Sequence, residues 1–240
     1  STLFMIVIPI FLSRTIAGIP EKESAAFFFM FLSFYLFLKA WKSETKSAFI
    51  YGALAGISTG IMGLIWGGVI YLFISIGLAV LIAFILEKVG KKEFLVYGLW
   101  IFGSFFTLMF FSSKRYDFNE MFTSLSSGLA FLVLVIMTIH FLFWKITTPK
   151  NKYKIPKTII SIIITIIILI LLSLIFLGPS FIIEKLKAIH QTIFKPVVGR
   201  WNITVAENKQ PNFQEWSQNF GPYIKNIPVM FWLFFIGSAV

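Results

Sequence analysis

Cysteine is absent from the 240 residues, which excludes disulfides, thiolate metal sites and thiol nucleophiles. Any metal must therefore be held by oxygen or by the two histidines, His140 and His190. Acid is scarce too: ten carboxylates stand against 21 lysines and arginines, and Asp117 is the single aspartate. Charged residues of both signs make up only 13% of the chain, against 58% hydrophobic residues and 30 phenylalanines, too few to coat a soluble domain of this size. The composition is that of a polytopic membrane protein. A net charge of +11 would suggest nucleic acid in a soluble chain. Here the basic residues fall in short runs between long apolar segments, where they act as topology signals, and no nucleic-acid partner is expected. Ser1 to Leu12 is apolar with no basic stretch before it, unlike a signal peptide, and the chain stops inside an apolar run. It reads as an internal piece of a longer protein.

A spanning helix needs roughly 20 apolar residues, because backbone groups cannot go unpaired in about 30 Å of hydrocarbon. Segments meeting that test are the tail of one helix to Leu12, then 24–40, 47–65, 68–87, 94–112, 126–145 and 157–177, and a last one from about Asn226. The expected fold is an all-α polytopic bundle: transmembrane helices with short loops over 1–177, a long extracytoplasmic loop over 178–225, and the start of a further span over 226–240. Gly52, Gly56, Gly60 and Gly63 line up as a small-residue face for close helix packing.

Short cytoplasmic loops carry the excess of Lys and Arg. Lys39, Lys42 and Lys46, then Lys88, Lys91 and Lys92, then Lys145, Lys150, Lys152, Lys154 and Lys157 all fall on one side, which is therefore cytoplasmic. Alternation puts Ser13–Glu23, Trp66–Gly68, Ser113–Leu125 and Gly178–Lys225 together on the outer face. Glu44, Glu87 and Glu93 lie inside; Glu21, Glu23, Asp117, Glu120, Glu184, Glu207 and Glu215 lie outside. No acid falls at bilayer depth, where an ion-coupled transporter would usually place one. His140, near the inner end of its helix, reads as a packed or interfacial histidine, and His190 as a residue of the external stretch rather than a ligand.

Two external features carry carboxylates. Ser13-Arg-Thr-Ile-Ala-Gly-Ile-Pro-Glu-Lys-Glu23 places Glu21 and Glu23 one residue apart, able to reach a hard cation such as Mg²⁺ or Mn²⁺. The same Pro20-Glu21 also suits a helix start, with acids offsetting the dipole. The 178–225 connection is too long to be mere filler. Its first part, 182–194, carries apolar positions at helical spacing around Glu184, Lys185 and Lys187, an amphipathic helix at the membrane surface. Thr204-Val-Ala-Glu-Asn-Lys-Gln-Pro211 follows, with Glu207 among amides. Trp66-Gly-Gly68 sits at an external helix junction as an interfacial ring with two flexible glycines.

Taken together, the 13–23 loop, the Trp66-Gly-Gly68 turn and the 204–211 loop resemble, in order and spacing, three motifs of the oligosaccharyltransferase catalytic subunit, closest to the single-subunit archaeal type. That family carries an SR-x-x-AG-x-x-D-x-E loop, a WGG turn and an S-V-S-E-H-Q-P or T-I-x-E loop on its lumenal or extracellular face. The resemblance implies a GT-C-type membrane domain. It also implies an enzyme that moves a glycan from a polyprenyl (dolichyl) phosphate or diphosphate carrier onto the asparagine of an Asn-X-Ser/Thr sequon. Its partners would be the lipid-linked oligosaccharide, the acceptor protein or peptide, and membrane lipid. Glu21 and Glu23 match the first and last acids of the D-x-E pair around Mn²⁺ or Mg²⁺. Glu207 matches the glutamate that pairs with the acceptor amide and helps at the metal.

The departures are Glu21 in place of aspartate, Asn208-Lys209 in place of His-Gln, and the lack of both the family's N-terminal acidic motif and its W-W-D-Y-G sequence. From these the 240 residues alone are expected to be inactive. Arg115 and Lys185 are candidates to meet a carrier phosphate, with snorkelling as the alternative reading, and Trp66 joins them as a substrate-binding candidate. Asn202-Ile-Thr204 is itself a sequon on the outer face. The rival readings are another polyprenyl-phosphate-sugar glycosyltransferase, which would not need Gln210-Pro211 after a loop glutamate; a transporter or flippase with a cavity at bilayer depth near His140; and a non-catalytic scaffold.

Overall fold

The computed structural model describes residues 22–112, 116–146, 156–176, 178–194, 213–221 and 223–239. Among them stand ten helices: α1 (Lys22–Lys42), α2 (Thr45–Ile65), α3 (Val69–Ile85), α4 (Lys91–Phe111), α5 (Phe118–Thr123), α6 (Ser127–Ile146), α7 (Lys157–Phe176), α8 (Gly178–Phe194), α9 (Phe213–Gln218) and α10 (Val229–Ala239). No strand occurs among the described residues; one isolated bridge joins Ile224 to Ile227. Five helices, α1, α2, α4, α6 and α7, are long and apolar enough to cross a membrane, and α3 is a shorter apolar helix of 17 residues. The chain is an all-α integral membrane protein. The span expected up to Leu12 lies outside the described residues.

The helix ends show why the apolar runs stop where they do. Gly90 donates its N–H to Glu93 Oε2 at 2.9 Å, opening α4. Lys92 Nζ donates to the carbonyls of Trp41 (2.9 Å) and Ser43 (3.1 Å), closing the end of α1. At the end of α3, Lys88 N–H reaches Ala83 O at 2.9 Å and Glu87 N–H reaches Phe84 O at 2.9 Å, with Glu87 at φ +59. This is a Schellman closure with glutamate where glycine is usual. It ends the helix at Ile85 although the apolar run continues through Leu86.

The chain divides into two compact units, Ala25–Ile183 and the combination of Ser1–Ser24 with Glu184–Val240. In the first, the small-residue face of α2 packs on α4. A Cβ at Gly56 would stand 2.5 Å from the Trp100 carbonyl oxygen and 3.1 Å from Gly103 Cα. That leaves no room for a side chain, so the backbones touch. Trp100 centres the core, fully buried, with ring centroids 5.7 Å from Phe37, 5.7 Å from Phe73 and 5.3 Å from Tyr97. Its Nε1–H donates to Thr59 Oγ1 at 2.9 Å, and Thr59 Oγ1 lies 2.6 Å from Ser33 Oγ, so one hydrogen-bond network joins α1, α2 and α4. Tyr97 Oη donates to Ala130 O at 2.7 Å and ties α4 to α6.

In the second unit, α9 and α10 flank a tight turn. Ile224 and Ile227 exchange both backbone hydrogen bonds at 3.0 Å around Lys225 and Asn226, which have φ +50 and +63. Two successive positive φ values are the mark of a type I′ turn.

Candidate functional site

Two of the three motifs adjoin described helices, which place what is described of them; the 204–211 loop lies outside the described residues. The 13–23 loop runs into α1, whose first turn carries Glu23, 8% exposed. An acid at this position is favoured by the helix dipole, so the helix-start reading of this segment holds for Glu23. Glu21 lies outside the described residues, as do Arg115 and Glu207. Lys185 lies on α8. Of the six candidate site residues, then, only Glu23 and Trp66 have described side chains. Among the described residues no three His, Asp or Glu side chains form a group suited to a metal ion.

The turn at Trp66 is the best-defined part of the site. Trp66 leaves the helix in an extended conformation (φ −144, ψ 140) while its N–H still bonds Met62 O at 2.8 Å. Its ring stands edge-on to Phe27, centroids 5.8 Å apart, and 6.4 Å from Tyr71. A Cβ at Gly68 would fall into the Trp66 ring, whereas nothing lies within 4 Å of one at Gly67. Gly68 itself has ordinary right-handed geometry (φ −63, ψ −1). The expectation of two flexible glycines is therefore corrected at Gly68, while Gly67 has open space around it. Gly68 is required because the indole folds directly over its backbone, which fixes the ring at the helix junction.

Beside this turn opens a cleft of about 280 Å³ lined by Gly67, Ile70, Tyr116 and the hydroxyl-bearing Ser124, Ser126 and Ser127. Tyr116 Oη donates to Gly63 O at 2.8 Å, pinning the 112–126 connection to the end of α2. Ser127 Oγ donates to Met121 O at 2.7 Å. Ser113–Leu125, expected as a loop, contains the short helix α5, and neither Tyr116 nor the three cleft serines are marked by a motif. The signal available was the cluster of serines on both sides of Phe118–Thr123. A second, apolar cleft of about 490 Å³ lies along α4, α5 and α6, walled by Phe102, Phe106, Phe110, Phe118, Phe122 and Phe131.

His140 is accounted for by packing. Its Nδ1 lies 2.9 Å from Ser161 Oγ, and its ring stands edge-on to Phe84 with centroids 5.0 Å apart. His190 lies exposed on α8.

Comparison with known proteins decides the relationship. Residues 1–134 match the family described as "Oligosaccharyl transferase STT3, N-terminal". The chain belongs to the oligosaccharyl transferase STT3 family. Over 157 residues it is 27% identical to a dolichyl-diphosphooligosaccharide--protein glycosyltransferase subunit STT3A of Oryza sativa subsp. japonica, a match covering 64% of this chain and 19% of that protein. Over 163 residues it is 24% identical to the corresponding subunit STT3B of Arabidopsis thaliana, covering 66% of this chain and 21% of that protein. The match thus spans about a fifth of the length of these curated relatives. Both are plant proteins, so they do not bear on the archaeal likeness of the motifs. No solved structure matches the chain. The family match takes in the 13–23 loop and the Trp66 turn; the 204–211 loop lies beyond it.

Proposed function

We propose that this chain forms part of an oligosaccharyltransferase that moves a glycan from a polyprenyl (dolichyl) phosphate or diphosphate carrier to the asparagine of an Asn-X-Ser/Thr sequon, outside the cytoplasm. The observation that carries the reading is the order of three motifs. Two lie within the residues matched to the STT3 family, and the distribution of basic residues assigns all three to one face. The single-subunit archaeal likeness belongs to the same proposal. In the reaction the bond from the sugar's anomeric carbon to the phosphate oxygen breaks. A bond to the asparagine amide nitrogen forms, and that nitrogen loses a proton.

An amide nitrogen is a poor nucleophile, so groups that hold it against the sugar matter most. Glu207 is assigned to the acceptor, its carboxylate accepting the amide N–H groups and turning the nitrogen toward the anomeric carbon. Glu21, Glu23 and Glu207 offer only carboxylate oxygen, the donor chemistry of a hard divalent cation, and Glu23 presents its carboxylate from a fixed helical turn. They therefore suit Mg²⁺ or Mn²⁺, which would supply charge neutralisation for the departing phosphate. The phenylalanine-walled cleft along α4 to α6 supports an isoprenoid carrier, because a branched apolar chain fills such a cleft without any polar partner. Arg115 and Lys185 are proposed as the cations that meet the carrier's phosphate, with Trp66 bordering it.

The test is transfer to a sequon peptide by the gene product that carries these 240 residues. Glu21→Gln and Glu207→Gln should each lower transfer by at least about a hundredfold, the scale for losing one preorganised electrostatic contact, while membrane insertion is unchanged. Unchanged transfer in either variant removes that residue from the mechanism.

A further inference from the structure

The unit that includes Glu184–Val240 holds a cleft of about 870 Å³ whose described lining contains no residue of the three motifs. It lies between α9, the Lys225–Asn226 turn and the start of α10, and is lined by Phe213, Gln214, Gln218, Tyr223 and Asn226, with Gly221 and Pro228. We infer that this cleft binds the uncharged sugar rings of the transferred glycan. The inference rests on the transferase reading above and adds to it a site for the glycan.

The lining has a consistent chemistry. Three carboxamides face one space, and a carboxamide offers donors and an acceptor from one planar group, which suits hydroxyls that both give and take hydrogen bonds. Among the described residues no hydrogen bond engages the side chains of Gln214, Gln218 or Asn226. No lining residue carries a charge at neutral pH, which suits neutral sugar rings better than a phosphate or a carboxylate. Phe213, 53% exposed, is held from behind by Phe231 at 5.4 Å and Trp232 at 6.4 Å, a ring on which the C–H face of a sugar can lie. Tyr223 is oriented by a hydrogen bond between its hydroxyl and that of the buried Ser217. The volume suits a ligand of a few rings.

Lys225 holds φ +50, a region that a lysine seldom occupies, and the turn it closes carries Asn226 at φ +63 to the wall of the cleft. An amide-lined cleft would also accept the backbone of an acceptor peptide. The aromatic platform favours the sugar, since an extended peptide gains most from a row of backbone partners.

The experiment uses the 240-residue chain in phosphatidylcholine nanodiscs, free of sugar-based detergent, and saturation-transfer NMR. The probes are cellobiose, N,N′-diacetylchitobiose and the peptide amide Asn-Ala-Thr. Transfer to the ring protons of a disaccharide is expected. Asn226→Gly keeps the turn, since glycine accepts positive φ, and removes only the carboxamide; with Gln218→Leu it is the decisive variant. Each should weaken disaccharide binding about tenfold, the scale of one lost hydrogen bond. Three outcomes overturn the inference: no disaccharide transfer, equal binding in both variants, or peptide binding in place of the sugar. Glu207→Gln should leave sugar binding intact, so failure of the catalytic reading and failure of this one are seen separately.

Discussion

Replacing Gly56 with alanine tests the packing of α2 on α4 that positions the Trp66 turn. The new Cβ would lie 2.5 Å from the Trp100 carbonyl oxygen and 3.1 Å from Ser104 N, and both neighbours are backbone atoms that cannot rotate away. Ordinary contact begins at 3.4 Å, so α2 and α4 must part by roughly 0.9 Å. The hydrogen bond from Trp100 Nε1 to Thr59 Oγ1, now 2.9 Å, crosses the same interface and would stretch beyond bonding range. Overpacking costs about 1–3 kcal/mol and the lost bond about 1 kcal/mol, so a destabilisation of about 2–4 kcal/mol is expected. Gly67→Ala is the control, because nothing lies within 4 Å of its Cβ. It should change stability by less than about 0.5 kcal/mol. Unfolding in mixed micelles by titration with sodium dodecyl sulfate, followed by far-ultraviolet circular dichroism, gives both numbers. Equal midpoints for the two variants would refute the close approach of the helices.

Glu87→Gly should raise stability by about 0.5–1 kcal/mol in the same titration, because it removes a side chain from a left-handed position (φ +59) that glycine occupies freely. A loss of stability would mean that the glutamate side chain, rather than the backbone closure, ends α3. Because the chain has no cysteine, single replacements report topology without background. Asn202→Cys should react with a membrane-impermeant maleimide on intact cells, and Lys42→Cys only after permeabilisation. The reverse pattern would overturn the orientation and, with it, the common face of the three motifs.

The helices were legible because run length is the dominant signal for a spanning helix. The expected segments 24–40, 47–65, 94–112 and 157–177 meet α1, α2, α4 and α7 within a few residues. The C-terminal end of α3 was less so: Leu86 continues the apolar pattern, and only the backbone turn at Glu87 shows where the helix stops. α5 escaped because six residues are too few to display a period. The glycine face of α2 was legible as a face, but its partner was not, since composition says that backbones approach without saying which. At the site, helix register accounts for Glu23 and Trp66. The fold of Trp66 over Gly68 was hidden, because a glycine kept for close approach and one kept for a turn look alike in sequence. Glu21, Arg115 and Glu207 lie outside the described residues, so their convergence stays with the proposal.

The transporter alternative requires polar groups at bilayer depth that are free to take up a passenger, and the described interior spends its hydroxyls otherwise. Within Ala25–Ile183, Ser58 donates to Phe29 O, Ser104 to Trp100 O, Thr107 to Gly103 O and Thr165 to Ser161 O, at 2.7 to 2.9 Å. Ser33 and Thr59 bond each other and the Ala55 carbonyl. Ser161 accepts Trp144 Nε1–H and lies against His140 Nδ1, so the histidine that a transport route would need is tied to α7. Among the described residues Thr158 Oγ1 alone is buried without a partner, and it stands in the first turn of α7, at the helix end that follows the lysine-rich 145–157 stretch. A polar group whose bonds are already made inside the bundle stabilises one packing and offers nothing to a substrate in transit. Beside Trp66, too, Tyr116, Ser124 and Ser127 already have hydrogen-bond partners, so that cleft is shaped by the same closed bonding as the interior. Within Ala25–Ile183 the described polar groups thus hold helices together, which is what the transporter alternative cannot use.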